Sequence, residues 1–493
     1  MKKIKLLAIL VLILSFSYSC TEGWEELNTD PNNAVDVPAA NILTFVERAM
    51  AETLWDVWWT GNNTSSYANH IAKIQYIDEN RYEERDGIIA RWGTLMSFQV
   101  DLSKIIVKAQ AEENPALEGV ALTLRAFLYH IMTDTWEAIP FSEGALGEDG
   151  ILAPSYNDQP AVYAGLLTML DNANTLLAQG GTIQGDIING NSTLQWQKFA
   201  NSLRMRIAIR MSNIDATTAG NVLTTILGNS ATYPILSSNA DMVALKWTDS
   251  SPYREPFFED ALGRDDHGMS DTFIDALINT GDPRLSEFAY PAAADGLYRG
   301  LTSGIEEAAE GTFQINEISR IGERYRDLPD GLTYIMRYAE VEFIKAEAYS
   351  RSLVAGGATA AEAAYEAGVT ASCTEHGVLA GDIITLLGDP NVAWDDATGD
   401  YGYTNLEKIY FQKWISLFKQ GHEAWAETRR TDIPQLTAAP GSPYTGHNRP
   451  PFRWPYPVSE YTLNPGVPGQ WDGDIVDRFW GDKMWWDTRT GVN

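Results

Sequence analysis

Leu117-Glu118-Gly119-Val120-Ala121-Leu122-Thr123-Leu124-Arg125-Ala126-Phe127-Leu128-Tyr129-His130-Ile131-Met132 repeats apolar side chains at Leu117, Val120, Ala121, Leu124, Leu128, Ile131 and Met132. That i, i+3, i+4, i+7 spacing lines one face of an α-helix. Val162, Leu166, Met169, Leu170, Ala173 and Leu177 keep the same period, as do Trp196, Phe199, Ala200, Leu203, Ile207 and Met211. A fourth helix is expected over Ile409, Tyr410, Trp414, Leu417, Phe418 and Trp425. The stretch 334–371 also reads as helical, rich in alanines that let helices approach closely, with Gly356-Gly357 turning one helix into the next. Strand-like alternation is sparse. An all-α, mostly helical chain is therefore expected, built as a degenerate helical-repeat scaffold of paired helices. Loop-rich insertions at 59–66, 140–160, 179–195, 228–270, 289–332, 388–405 and 434–493 interrupt it, and such insertions are where binding concentrates. No linker divides residues 20–493, which read as one domain.

The N-terminus gives the compartment. Lys2, Lys3 and Lys5 precede an unbroken apolar run from Leu6 to Leu14, and Ser17-Tyr18-Ser19 lead into Cys20. Residues 1–19 have the charge, short apolar core and small-residue cut of a secretory signal peptide, too short for a permanent span. A cysteine just after the cut suggests lipidation, which makes the thiol a membrane anchor. Ordinary cleavage would instead leave Cys20 free to pair with Cys373, the chain's other cysteine. Residues 20–40 are expected to form the tether and the start of the body.

The chain carries 66 acidic against 36 basic residues, a formal net charge of −30. Nucleic-acid binding needs a basic footprint and is disfavoured. With 44% apolar and 21% charged residues, the body can bury a large core and does not read as disordered. Aromatic side chains recur in Gly-, Asn-, Asp- and Pro-rich segments such as 58–85, 247–258 and 452–486. There they can stack on flat apolar ligand faces and hydrogen-bond at one edge.

Several ordered blocks carry a resemblance. Asn28-Thr29-Asp30-Pro31-Asn32 follows the leader, and Thr133-Asp134-Thr135-Trp136-Glu137-Ala138-Ile139-Pro140-Phe141 ends the first long helix. Ser155-Tyr156-Asn157-Asp158-Gln159, Trp196 to Arg206 and Asp282-Pro283-Arg284-Leu285 come next. Then follow Met336-Arg337-Tyr338-Ala339-Glu340-Val341-Glu342-Phe343, Gln412-Lys413-Trp414, Glu423 to Arg430, Arg453-Trp454-Pro455-Tyr456-Pro457 and Trp485-Trp486-Asp487. In this order over residues 20–487 the chain resembles the SusD/RagB-like (starch-utilisation-system D-like) outer-membrane lipoproteins of Bacteroidetes. The acidic residues after Cys20 resemble their surface-export signal.

The resemblance implies a mostly helical body containing tetratricopeptide-like helix pairs, with the loop-rich insertions forming the ligand face, and a non-enzymatic, cell-surface nutrient-binding lipoprotein. It would capture oligosaccharides and deliver them to a SusC-type TonB-dependent transporter, with peptides as the ligand in the RagB branch. The expected ligand residues are Trp58, Trp59, Asn62, Tyr76, Arg81 and Tyr82, where the first helix yields to a Gly-Asn-Asn-rich loop and a polar aromatic stretch. Trp247 and Tyr253 are second choices. Either tryptophan of the Trp58-Trp59 pair could instead close the helix onto the core.

The remaining blocks read physically. Arg206 and Arg210 lie four apart and project together. They are expected to form buried ion pairs with Glu340, Glu342, Glu347 or Asp134, the functional alternative being an anion site; Arg429 and Arg430 read the same way. Asp282-Pro283-Arg284 reads as a helix-ending turn with an ion pair, and Trp485-Trp486 as a terminal latch. No cofactor or metal site is signalled. The six histidines form neither His-x-x-x-His nor His-Glu-x-x-His, and there is no Gly-x-Ser-x-Gly elbow or phosphate loop. Cys373 near His376 is a weak nucleophile pair. Paired carboxylates for glycosidase chemistry are too numerous to discriminate. Asp265-Asp266, Asp395-Asp396 and Asp472-Gly473-Asp474 offer oxygen ligands for Ca²⁺ without EF-hand spacing, and read equally as solvated acidic loops.

Overall fold

Six helices follow one another through the first half of the chain: α1 (Ala39–Leu54), α2 (Arg91–Ala111), α3 (Pro115–Trp136), α4 (Gln159–Ala178), α5 (Thr193–Met211) and α6 (Ala216–Gly228), each packed on the next. Their starts are set by capping side chains. Asn114, Asp158, Ser192 and Asp215 accept from the first-turn amides of α3, α4, α5 and α6, with Pro115 and Pro160 in the opening turn of α3 and α4, where a missing N–H costs nothing. Gly119 permits the close approach of α3 to α4, since a Cβ there would lie 2.7 Å from Leu177 Cγ. Short helices α7 (Pro256–Ala261) and α8 (Asp271–Asn279) lie in the long insertion that follows. The second half adds α9 (Tyr338–Ser350), α10 (Gly357–Glu375), α11 (Ala380–Leu387), α12 (Asn405–Ser416) and α13 (Gly421–Thr431). There α9 packs on α10, α12 and α5, while α13 packs on α12 and α3.

This computed structural model describes residues 36–83, 91–306, 311–464 and 479–493. The leader, Cys20, Asn28-Thr29-Asp30-Pro31-Asn32 and Asp472-Gly473-Asp474 lie outside the described residues, as does most of the 20–40 tether. Within them the strands form two-stranded antiparallel ribbons: β1 (Ile71–Lys73) with β3 (His267–Met269), β2 (Val243–Lys246) with β6 (Leu332–Met336), and β4 (Ala289–Tyr290) with β5 (Arg320–Ile321). No helix among the described residues is long and apolar enough to cross a membrane.

Three local expectations are corrected. The helix expected from 409 to 425 is two, α12 and α13, because Lys419 turns left-handed at φ 63°. The break lets Gly421 abut the backbone at Ser65, where any Cβ would collide with Ser65 N and Thr64 Oγ1. Residues 334–336 are strand, claimed by pairing with β2. The Gly-Asn-Asn segment is no loop: Val57–Thr64 forms a π-helix. The Gly356-Gly357 turn is present, with Gly357 at φ 67° starting α10.

Where the two halves meet, charged side chains are almost wholly excluded from water. Arg206 of α5 donates from Nε and Nη2 to Glu340 of α9 at 2.6 Å each, and from Nη2 to the carbonyl of Ile335 at 3.2 Å. Arg210 donates to Glu423 of α13 and lies 3.5 Å from Glu427 and 3.8 Å from Asp134. Arg430 bridges Glu347 at 2.6 and 2.7 Å and Glu427 at 2.8 Å, and Lys413 of α12 reaches Glu427 at 3.2 Å. Burial pushes the Glu427 carboxyl up, but Arg430, Lys413 and Arg210 outweigh it and hold the group well below the usual carboxylate range. Of the expected partners, Glu340 and Asp134 serve Arg206 and Arg210. Glu342 pairs with Lys345 instead, and Glu347 with Arg430 and Arg351. Arg429 departs from the expected ion pair: it donates to the carbonyls of Trp425, Phe452 and Asp134 and stacks 3.6 Å above the Trp425 ring. The terminal latch is present, Trp486 being buried with its Nε1 donating to Asp134 Oδ1 at 3.0 Å. Arg284 forks onto Asp282 at 2.9 and 2.5 Å.

An unpaired buried charge costs more than the pair contributes. Glu340→Leu alone is therefore expected to lower the unfolding free energy by ~3–5 kcal/mol, and adding Arg206→Met to recover most of that loss in urea titrations. His422, edge-on to Trp55 at 5.0 Å, has no hydrogen-bond partner for either ring nitrogen among the described residues. Burial pulls it down to about 3 against the opposing Glu423, with Arg206, His130 and Arg210 adding to the fall. Folded His422 stays neutral while the unfolded chain protonates, so its contribution is intact above about pH 6.5 and is lost as pH falls towards 3. His422→Leu is expected to reduce the stability lost between pH 7 and pH 5 by about 2 kcal/mol relative to the parent. An unchanged difference would contradict a neutral buried imidazole.

Candidate ligand-binding site

The π-helix Val57–Thr64 follows α1 because polar side chains take over backbone partners there. Asp56, held by Arg91 at 2.5 Å, accepts from Trp59 N at 2.7 Å. Thr60 Oγ1 donates to Leu54 O at 2.7 Å, Asn63 Nδ2 to Trp58 O at 2.6 Å and Thr64 Oγ1 to Trp59 O at 3.1 Å. Gly61 lies against His267 and Phe257, where a Cβ would stand 3.0 Å from His267 Nε2. Single π-turns are rare and cluster at functional sites. This one sends two adjacent tryptophans apart. Trp59 is fully buried, 4.7 Å from Trp454 and 5.9 Å from Trp136, whereas Trp58 is 38% exposed.

The other expected residues divide the same way. Tyr76 is 59% exposed and left-handed at φ 51°, with the Arg264 guanidinium 5.0 Å from its ring centre. Tyr253 is 50% exposed beneath Arg48 at 5.6 Å. Four residues are buried and serve the scaffold: Trp59; Asn62, whose Oδ1 meets His267 Nε2 at 2.7 Å; Arg81, paired with Asp78 at 2.7 Å; and Tyr82, whose hydroxyl accepts from Ala439 N at 2.9 Å. Trp247 is buried too, donating from Nε1 to Thr333 at 2.9 Å.

Gln75, the chain neighbour of Tyr76, lines a cleft of ≈ 610 Å³ with Ile74, Gly311, Phe313, Gln314, Ile315 and Asn316. Its lining among the described residues is uncharged: one ring and two branched aliphatics for apolar faces, and three amides that each donate and accept. Gln75 is steadied by donating to the carbonyl of Asp265 at 3.2 Å. Beside Gln75, Asp265 pairs with Arg320 at 3.1 Å and Arg326 at 2.9 Å, and Asp266 with Arg264; Glu317 accepts from Gln314 N at 2.9 Å. Reading by sequence missed Gln75, Phe313, Gln314 and Asn316. The one available signal was an aromatic among amides in the 289–332 insertion, and nothing local joins it to Gln75.

The other candidate chemistries resolve differently. No group of three or more His, Cys, Asp or Glu among the described residues could hold a metal ion. At Asp395-Asp396 the loop closes around a resident ammonium: Lys408 Nζ donates to the backbone carbonyls of Pro390, Ala393 and Asp395 and to Thr398 Oγ1 at 2.7–2.9 Å, while Asp396 Oδ1 accepts from Asn405 N at 2.7 Å. Burial pushes the Cys373 thiol up to about 11, away from a nucleophile. The His376 nitrogens are taken by the Tyr325 hydroxyl at 2.5 Å and Ser372 O at 2.7 Å.

Comparison with known proteins places this geometry. A SusD-like family described as starch-binding associating with outer membrane matches residues 31–457. No curated protein matches the sequence. A chitin-binding SusD homologue from Flavobacterium johnsoniae superposes with a TM-score of 0.78 at 22% identity, over 92% of this chain and 98% of that one. A SusD homologue from Bacteroides fragilis gives 0.75 at 24% identity, and one from Bacteroides uniformis 0.77 at 22%, each over 92% of this chain and 100% of the other. At these identities the likeness is one of fold, the mostly helical architecture expected from the periodicity. Matched in sequence from residue 31 to residue 457 and sharing that helical fold, this chain belongs to the SusD-like family.

Proposed function

We propose that this protein is a cell-surface nutrient-binding lipoprotein that captures oligosaccharides and delivers them, chemically unchanged, to a SusC-type TonB-dependent transporter. One observation carries the reading: an exposed tyrosine adjoins in the chain a cleft whose described lining combines a ring, aliphatic side chains and amides without a charge. Sugars present apolar C–H faces and dense hydroxyls, and rings with bifunctional amides complement both. Trp58 and Tyr253 extend the same chemistry along the 57–82 and 247–258 segments. The family description, starch-binding, and the chitin-binding relative from Flavobacterium support a carbohydrate over a peptide. In this reading Cys20 carries the lipid anchor and residues 20–40 the tether.

Calorimetry of residues 21–493 with maltoheptaose, chitohexaose and a mixed hexapeptide tests it, with mass spectrometry of each mixture afterwards. Saturable binding of an intact sugar is expected. Binding of the hexapeptide alone would move the ligand to the RagB type, and cleavage of any probe would make the protein an enzyme. Trp58→Ala and Tyr76→Ala should each weaken sugar binding about three- to tenfold while leaving the melting temperature unchanged. Trp59→Ala should instead cost ~3–5 kcal/mol of stability, as expected for emptying a packed core site. Cys20→Ser should move the full-length protein from the membrane fraction to the soluble fraction on cell fractionation. Retention at the membrane would exclude Cys20 as the anchor.

A further inference from the structure

Behind the exposed Tyr76 lies a polar cluster with no access to water. The turn from Tyr76 to Tyr82 begins and ends on tyrosines in the left-handed region, φ 51° and φ 68°. Side chains with a Cβ adopt that region at a cost, and such strain persists only where surrounding structure enforces it. Asn80, 1% exposed, supplies the enforcement. Its Nδ2 donates to the carbonyl of Asn62 in the π-helix at 2.8 Å, and its Oδ1 accepts from Lys73 N at the end of β1 at 2.7 Å. Ser303 Oγ reaches the same Oδ1 at 3.4 Å. On either side Lys73 Nζ meets Glu79 at 2.5 Å, both buried, and Asn62 Oδ1 meets His267 Nε2. The backbone seals the cluster: Gly304 packs on the carbonyl of Asn80 so closely that a Cβ would lie 2.5 Å from Ala439 Cβ and 2.9 Å from Asn80 C.

We infer that Asn80 is a positioning residue. It bolts the Tyr76–Tyr82 turn to the π-helix and to β1, so that Tyr76, next in the chain to the cleft-lining Gln75, and the segment carrying Trp58 are held in fixed register before ligand arrives. This rests on the ligand site proposed above and adds to it the device that pre-organises it. An amide suits the role, since its nitrogen donates to Asn62 O while its oxygen accepts from Lys73 N in the same plane. A rigid platform raises affinity by removing the ordering cost from the binding step.

The test is Asn80→Asp in the mature protein, which keeps the shape and the acceptor but loses the donor. Asn80→Leu, which buries no charge and makes neither bond, is the variant to use if the aspartate does not fold. Amide hydrogen exchange across 74–82 reads the bolt without any ligand and is expected to accelerate about tenfold or more while the helices keep their protection. Binding of whichever of maltoheptaose and chitohexaose the parent protein takes is then measured in a double-mutant cycle with Tyr76→Ala. Asn80→Asp should weaken binding about five- to tenfold in the parent and far less in the Tyr76→Ala background, because its effect passes through that ring. Additive losses, or exchange at 74–82 equal to the parent's, would overturn the inference. Binding untouched by Tyr76→Ala would sink the proposed ligand site instead, and the exchange rates would still decide whether Asn80 holds the turn.

Discussion

The structure depends on the ion pairs sealed between α5, α9, α12 and α13. A charge taken out of water is tolerated only against a partner in good geometry, and removing one member costs more than the pair contributes. Arg206 on Glu340 ties α5 to α9, Arg210 on Glu423 ties α5 to α13, and Arg430 on Glu347 ties α13 back to α9. These helices come from opposite halves of the sequence, and apolar packing alone would allow them to slide. The forks of Arg206 on Glu340 and of Arg430 on Glu347 do not. Register, more than net stability, is what such a network specifies.

From that frame the ligand face is placed by contact. With α13 fixed, Gly421 meets the backbone at Ser65 and Trp425 meets the Tyr67 ring at 5.3 Å. The π-helix is pinned from the inside by Trp59 among Trp136 and Trp454, and Trp136 continues through Trp92 to Tyr156 and Tyr456. Most of the aromatic residues that looked available to a ligand are this internal wall. The few left outside gain their availability from the rest being packed.

Charge follows the same division. In a chain of net charge −30, the described residues that line the cleft are uncharged, and Asp265, which holds Gln75, is answered by Arg320 and Arg326, as Asp266 is by Arg264. Pairing those carboxylates lowers the local field, which suits a neutral, hydroxyl-rich ligand better than an anion or a cation.

The sequence by itself determined the periodic helices over 117–132, 162–177 and 196–211 and the burial of Arg206 and Arg210. Periodicity and the intolerance of lone buried charge are local or pairwise properties, readable from spacing alone. It left open which acid met which arginine, since Glu342 and Glu347 carried the same credentials as Glu340 and were drawn off by Lys345, Arg351 and Arg430. Only the tertiary structure decided which of Trp58 and Trp59 faces out, because the π-helix changes the angle between neighbours and the core had room for one. Only it brought Phe313, Gln314 and Asn316 beside Gln75, since a cleft between distant loops has no period and no local energy by which a linear sequence could announce it.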